Sequence, residues 1–214
     1  MTEPTIEVAE QPEKPRRWPI YLALGLVVAL VGGFFGNRVV YSSDFDHLVD
    51  VTAAAEGHQV WKDFFMAQDC FVVAVIDDQN PALAYADGLE LRDETARLAD
   101  HVDQAMETFA GAGVKPWHGL LRTARDAINE HYRIWDEHLV EGQTILESLS
   151  ELPEELVLTF QVWADSVVQA QDPITETFEG AEAAFSAAAP SPAAAAEIDT
   201  LFTGSGVGCT RGSV

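Results

Sequence analysis

LRTARDAINEHYRIWDEHLVEGQTILESL, residues 121–149, decides the fold class. Leu121, Ala124, Ile128, His131, Trp135, His138, Gly142, Ile145 and Leu149 follow one another at alternating steps of three and four residues. At about 3.6 residues per turn, this spacing keeps all nine on one helical face. Arg, Asp and Glu fill much of the remainder, so the segment reads as a long helix that buries a single seam. That seam is the kind made by antiparallel helices packed side by side.

Working outward, Pro116 is read as opening this helix and Gly111-Ala112-Gly113 as closing the one before it. The preceding helix spans residues 81–110, with Leu91, Thr95, Leu98, Val102, Ala105 and Phe109 as its stripe. Asn80 stands as its N-cap and Pro81 as its first residue. Residues 43–77 are read as another helix, with Val51, Ala54, His58, Trp61, Phe65, Gln68, Val72 and Val75 facing inward.

Downstream, Pro153 begins a fourth helix through Leu156, Phe160, Trp163, Val167 and Ala170. A kink or restart is expected at Asp172-Pro173. Ile174, Phe178, Ala181 and Phe185 then carry the apolar face to about residue 188. Pro190-Ser191-Pro192 breaks the chain again before a short helix and a glycine-rich end. Long helices with one apolar stripe and short connections must fold back on one another. The expected fold is all-α: an antiparallel up-down-up-down four-helix bundle over residues 43–189, then a short extra helix and an irregular tail within 190–214.

Residues 18–36, WPIYLALGLVVALVGGFFG, contain no charged side chain. A helix of that length spans close to 30 Å, the thickness of the hydrocarbon core of a bilayer. Lys14, Arg16 and Arg17 precede it directly, and Trp18 and Tyr21 suit the entry interface. These residues predict a single transmembrane helix with residues 1–17 as a short disordered cytoplasmic tail. A cleaved signal peptide fits less well, because the apolar core is long and Val31-Gly32-Gly33 is a poor cleavage site. No proline or glycine lies in residues 37–42, so the membrane helix can run directly into the next one. The expected location is the plasma membrane, with everything after the anchor extracytoplasmic.

The chain has 214 residues and a formal net charge of −23. Three of the 12 basic and four of the 35 acidic residues precede residue 18, leaving the remainder at −22. That balance excludes nucleic acid as a partner, since phosphate binding needs a basic surface. It suits solubility, or attraction of a cationic protein.

Candidate sites are few. Cys70 and Cys209 are the only cysteines, and outside the cytoplasm an even count predicts a disulfide that ties the tail back to the bundle. His58, His131 and His138 fall on the expected inward stripes and are the candidates for a metal or haem site. The spacing argues against one. No histidine has Glu three residues before it, and His131 and His138 lie about 10 Å apart along the helix axis. Polar core histidines are the simpler reading, and neither metal nor cofactor is expected.

Asp44-Phe45-Asp46-His47 matches no calcium loop and is read as a helix start with Ser43 or Asp44 as N-cap. Trp61, Trp117, Trp135 and Trp163 are read as bulky core fillers. Phosphate loops, nucleophile elbows and serine–histidine pairings are absent from the sequence. The expectation is a non-catalytic accessory or structural subunit of a larger membrane or cell-envelope complex, a bacterial respiratory complex being one concrete version. It would meet other membrane proteins through the transmembrane helix and the acidic ectodomain. A haem- or metal-binding bundle and an extracytoplasmic sensor or receptor bundle are the alternatives.

Overall fold

The computed structural model describes residues 18–201 and Cys209, with side chains described for residues 33, 36–198 and 209. Six helices and no strand occur among them. They are α1 (Trp18–Glu56), α2 (Gln59–Ile76), α3 (Pro81–Gly111), α4 (Gly119–Leu146), α5 (Pro153–Ala188) and α6 (Pro192–Leu201). The chain divides into two compact units, Met1–Val40 and Tyr41–Val214. The expected tail with Lys14, Arg16 and Arg17, and the side chain of Trp18, lie outside the described residues. So do most side chains of the apolar segment 18–36 and most of the C-terminal tail. Among the described residues no helix is long and apolar enough to cross a membrane.

The second unit is a helical bundle in which α2 packs on α3, α3 on α4, and α4 on α5. Side-chain pairs give the directions. His58 before α2 meets His101 late in α3, whereas Phe71 late in α2 meets Gly88 early in α3. Gly88 also faces Leu149 just past α4, while Phe109 near the end of α3 meets Tyr132 in α4. Both helix pairs are therefore antiparallel, and their connections are short enough to enforce it.

One apolar core runs through the unit from Phe45 and Leu48 to Phe185 and Ile198. Phe71, Phe109, Tyr132 and Phe185 are its largest fully buried side chains. Each contributes on the order of 2–3 kcal/mol by leaving water. Gly88 allows a close approach: a Cβ there would lie 2.8 Å from Leu149 Cδ2 and 3.0 Å from Phe71 Cε2.

The α3 stripe lies where the sequence places it and the α4 stripe largely does. In α5 Leu156, Trp163, Ala181 and Phe185 are buried as expected, but Thr159 and Ser166 are buried where Phe160 and Val167 are only half-buried. Leu91, Thr95, Leu98, Val102, Ala105 and Phe109 are all buried, as are Leu121, Ala124, Ile128, His131, His138 and Gly142. Asn80 caps α3, its Oδ1 accepting from the Leu83 N–H at 3.3 Å. The helix expected over 43–77 is different. It stops at Glu56 and restarts at Gln59, and apart from Trp61, which is buried as expected, its buried face is displaced by one residue from the expected stripe. Leu48, Thr52 and Ala55 are buried in place of Val51, Ala54 and His58. In α2, Phe64, Ala67, Phe71 and Ala74 are buried in place of Phe65, Gln68, Val72 and Val75. A one-residue slip turns a helix by about 100°, enough to exchange a core face for a flank.

Two further boundaries move. Pro116 lies in the turn before α4 and not in the helix, and Asp172-Pro173 neither ends nor restarts α5, which runs through Pro173.

Candidate functional site

The α1–α2 break is built by the residues around it. The Gly57 N–H reaches back to the Ala53 carbonyl at 2.9 Å, closing α1. His58 starts α2, its Nδ1 accepting from the Val60 N–H at 3.3 Å. The Ala55 carbonyl accepts from the Trp61 indole at 3.0 Å and, from α3, His101 Nε2 at 2.9 Å. His101 stacks on His58 with centroids 4.4 Å apart. From α4, the buried Tyr132 hydroxyl donates to Glu56 Oε1 at 3.0 Å. Burial raises the Glu56 carboxyl to about 7, opposed by the Tyr132 hydrogen bond. Burial and then the Glu56 charge push Tyr132 well above its ordinary range. Three helices thus hold one discontinuity by side-chain hydrogen bonds and ring stacking.

The three candidate histidines stand in three different settings. His58 is exposed at a helix start, not inward on a stripe, because the chain breaks at Gly57. His131 is buried, with Nδ1 3.1 Å from Thr177 Oγ1 on α5. Thr177 Oγ1 also lies 2.8 Å from the Pro173 carbonyl and 3.1 Å from the Ile174 carbonyl. Burial depresses His131 to about 4, which keeps it neutral. His138 is buried and lowered for the same reason, and its Nδ1 has no hydrogen-bond partner among the described residues. No group of three His, Cys, Asp or Glu is placed to share an ion among the described residues.

Cys70 and Cys209 are joined as a disulfide, Cα to Cα 4.9 Å. The Cys209 N–H also donates to the Asp69 carboxylate, so two adjacent residues of α2 hold this point of the tail.

Two expected roles change. Asp44 lies inside α1 and caps nothing; its Oδ2 accepts from His118 Nδ1 at 3.1 Å and faces the Lys115 N–H at 3.5 Å. Trp61, Trp135 and Trp163 pack with other rings in the interior, but Trp117 is 68% exposed. Sequence periodicity did not indicate the Asp44–His118 link, since its members are 74 residues apart.

A half-open depression of about 230 Å³ lies between α3 and α4, lined by Phe109, Ala110, Arg125, Asp126 and Asn129. It is smaller than the roughly 300–1,000 Å³ of ordinary ligand sites, and its arginine is already paired with Asp126 at 2.7 Å.

The outer face of α5 is the unusual surface. Val157, Leu158, Val162 and Val168 are all exposed, Leu158 to 61% and Val168 to 68%. At about 100° per residue they fall within an arc of about 140°. Asp165 is the one charged residue between Glu155 and Asp172. Elsewhere the bundle surface carries clustered carboxylates, as where Asp103 and Glu137 flank Asp136. Gln161, Asp165 and Gln169 are exposed within the same arc. The face therefore mixes aliphatic and polar side chains but carries a single charge, and on so acidic a chain it is suited to burial against another protein.

No protein-family model, curated protein or solved structure matches the chain.

Proposed function

We propose that the protein is a membrane-anchored extracytoplasmic bundle that works by contact, as a non-catalytic accessory subunit of a larger membrane or envelope assembly. The observation that carries this reading is the exposed, aliphatic-rich face of α5. Four exposed aliphatic side chains, interleaved with Gln161, Gln169 and the single carboxylate of Asp165, are costly to leave in water and fit a partner surface of similarly mixed, weakly charged character. The uncharged segment 18–36 behind Lys14, Arg16 and Arg17 supports anchoring with the N-terminus in the cytoplasm. The Cys70–Cys209 disulfide supports an oxidising compartment for the bundle. His58, His131 and His138 offer no converging donors, so the haem or metal alternative gains nothing from their placement.

Purification of the tagged full-length chain in mild detergent tests the proposal. Recovery of a second membrane protein in fixed proportion is expected, and substitution of Leu158 and Val162 by Asp should release it. Recovery of the chain alone would contradict the proposal.

A further inference from the structure

Residues 108–125, TFAGAGVKPWHGLLRTAR, form the longest run without Asp or Glu after residue 43, and they carry Lys115, Arg122 and Arg125. They comprise the end of α3, the connection and the start of α4. Trp117 and Leu120 are well exposed, and Lys115 and Arg122 are exposed beside them. Arg125 is taken up by Asp126, whereas Lys115 and Arg122 have no carboxylate partner among the described residues.

This segment is fastened to α1. Buried His118 donates to Asp44, and the Tyr41 ring meets the His118 ring edge-on at 5.0 Å. The Tyr41 hydroxyl donates to the Ala188 carbonyl at 2.7 Å. That bond brings a second acid-free run, residues 183–196, to the same end of the bundle. The half-buried Asp44 carboxylate is turned to His118, leaving Asp46 as the nearest exposed acid in α1.

Tyr41 follows residue 36 by five positions, which even fully extended reach only about 18 Å. If residues 18–36 span the bilayer, as proposed above, the end of the bundle that holds Trp117 lies within reach of the headgroups. An indole with an apolar body and a polar tip favours that zone, and anionic headgroups in the extracytoplasmic leaflet would draw cations. Most of this −23 chain would be repelled by such a leaflet; the acid-poor end, where Asp44 is turned to His118, is the part least repelled.

We infer that Lys115, Trp117, Leu120 and Arg122 form a membrane-surface contact, docking the bundle on anionic lipid headgroups. The inference rests on the anchoring reading.

The full-length chain in vesicles of equal parts phosphatidylcholine and phosphatidylglycerol, with brominated acyl chains, provides the test. Carbonate-resistant flotation of the vesicles reports the anchor. Bromine quenching of tryptophan fluorescence, compared between the parent and Trp117→Phe, reports the contact. The parent should show an additional quenched component that Trp117→Phe lacks. That component should fall several-fold in Lys115→Gln/Arg122→Gln and in vesicles of phosphatidylcholine alone. Flotation with identical quenching in parent and Trp117→Phe would overturn the contact and leave the anchor standing. An undiminished component without phosphatidylglycerol would overturn the role of anionic lipid. Failure to float would overturn anchor and contact together.

Discussion

Tyr132 in the middle of α4 donates its hydroxyl to Oε1 of Glu56, the last residue of α1, at 3.0 Å. The bond places a desolvated carboxyl, held near pH 7, where the chain changes helix. Stability is therefore linked to the protonation of a residue outside any catalytic site.

Glu56 and His131 should impose opposite pH dependences. Between pH 4.5 and about 7 the unfolded chain releases the Glu56 proton while the folded chain retains it, so this group makes stability fall as pH rises. Between pH 6.5 and about 4 the unfolded chain takes up a proton that folded His131 refuses, so this group makes stability fall as pH drops. His138 acts in the same direction as His131. The opposing slopes overlap and offset each other in the parent. Glu56→Gln keeps an acceptor for Tyr132, should raise stability above pH 7 and should leave a profile that climbs from pH 4 to 6.5. His131→Asn should leave only His138 opposing Glu56, so stability should decline more, or climb less, from pH 4.5 to 7 than in the parent. A tenfold difference in proton affinity between folded and unfolded chain corresponds to about 1.4 kcal/mol, so each effect is on the order of 3 kcal/mol. Urea midpoints across this range measure it; parallel curves for parent and variants would contradict the assignment.

The Cys70–Cys209 bridge closes a loop with a sequence separation of 139. In the chain-entropy model it contributes roughly 5 kcal/mol by restricting the unfolded chain. Cys70→Ser/Cys209→Ser, or reduction under native conditions, should lower the urea midpoint markedly. It should also expose the region near Cys209 to limited proteolysis before the bundle yields. An unchanged midpoint would show that the bridge does not contribute to stability.

Two buried glycines should respond in opposite directions. Gly142, inside α4, has nothing within 4 Å of where a Cβ would sit. Gly142→Ala should stabilise by about 0.5–1 kcal/mol through helix propensity. Gly88 faces Phe71 and Leu149 at contact distance, so Gly88→Val should destabilise by about 1–3 kcal/mol through overpacking. Thermal melts of both variants check the pair.

The sequence was most legible where one periodic pattern ran unbroken. The α3 and α4 stripes, from Leu91 to Phe109 and from Leu121 to Gly142, lie on the core as their spacing requires. It misled at Gly57-His58. There a continuous three-and-four pattern can be drawn across a real break, and no local signal says which of two adjacent faces the bundle buries. The break depends on Tyr132, His101 and Trp61 supplying hydrogen bonds from elsewhere in the fold. Pairing of Cys70 with Cys209 was legible from their even number and the compartment expected for the bundle. The Asp44–His118 contact and the exposure of Trp117 were not, because both depend on how the α3–α4 connection lies against α1. Nor was the aliphatic-rich outer face of α5, since valines and leucines on a helix flank look the same in sequence whether covered or bare.

The central claim, that the outer face of α5 is a partner surface, is tested most directly by site-specific photo-crosslinking in the native membrane. A photoreactive residue at Leu158 or Val162 should give one discrete adduct of higher mass. The same group at Arg133 on the charged outer face of α4 should give none. Absence of any adduct from the α5 positions, or equal diffuse labelling from all three, would contradict the account.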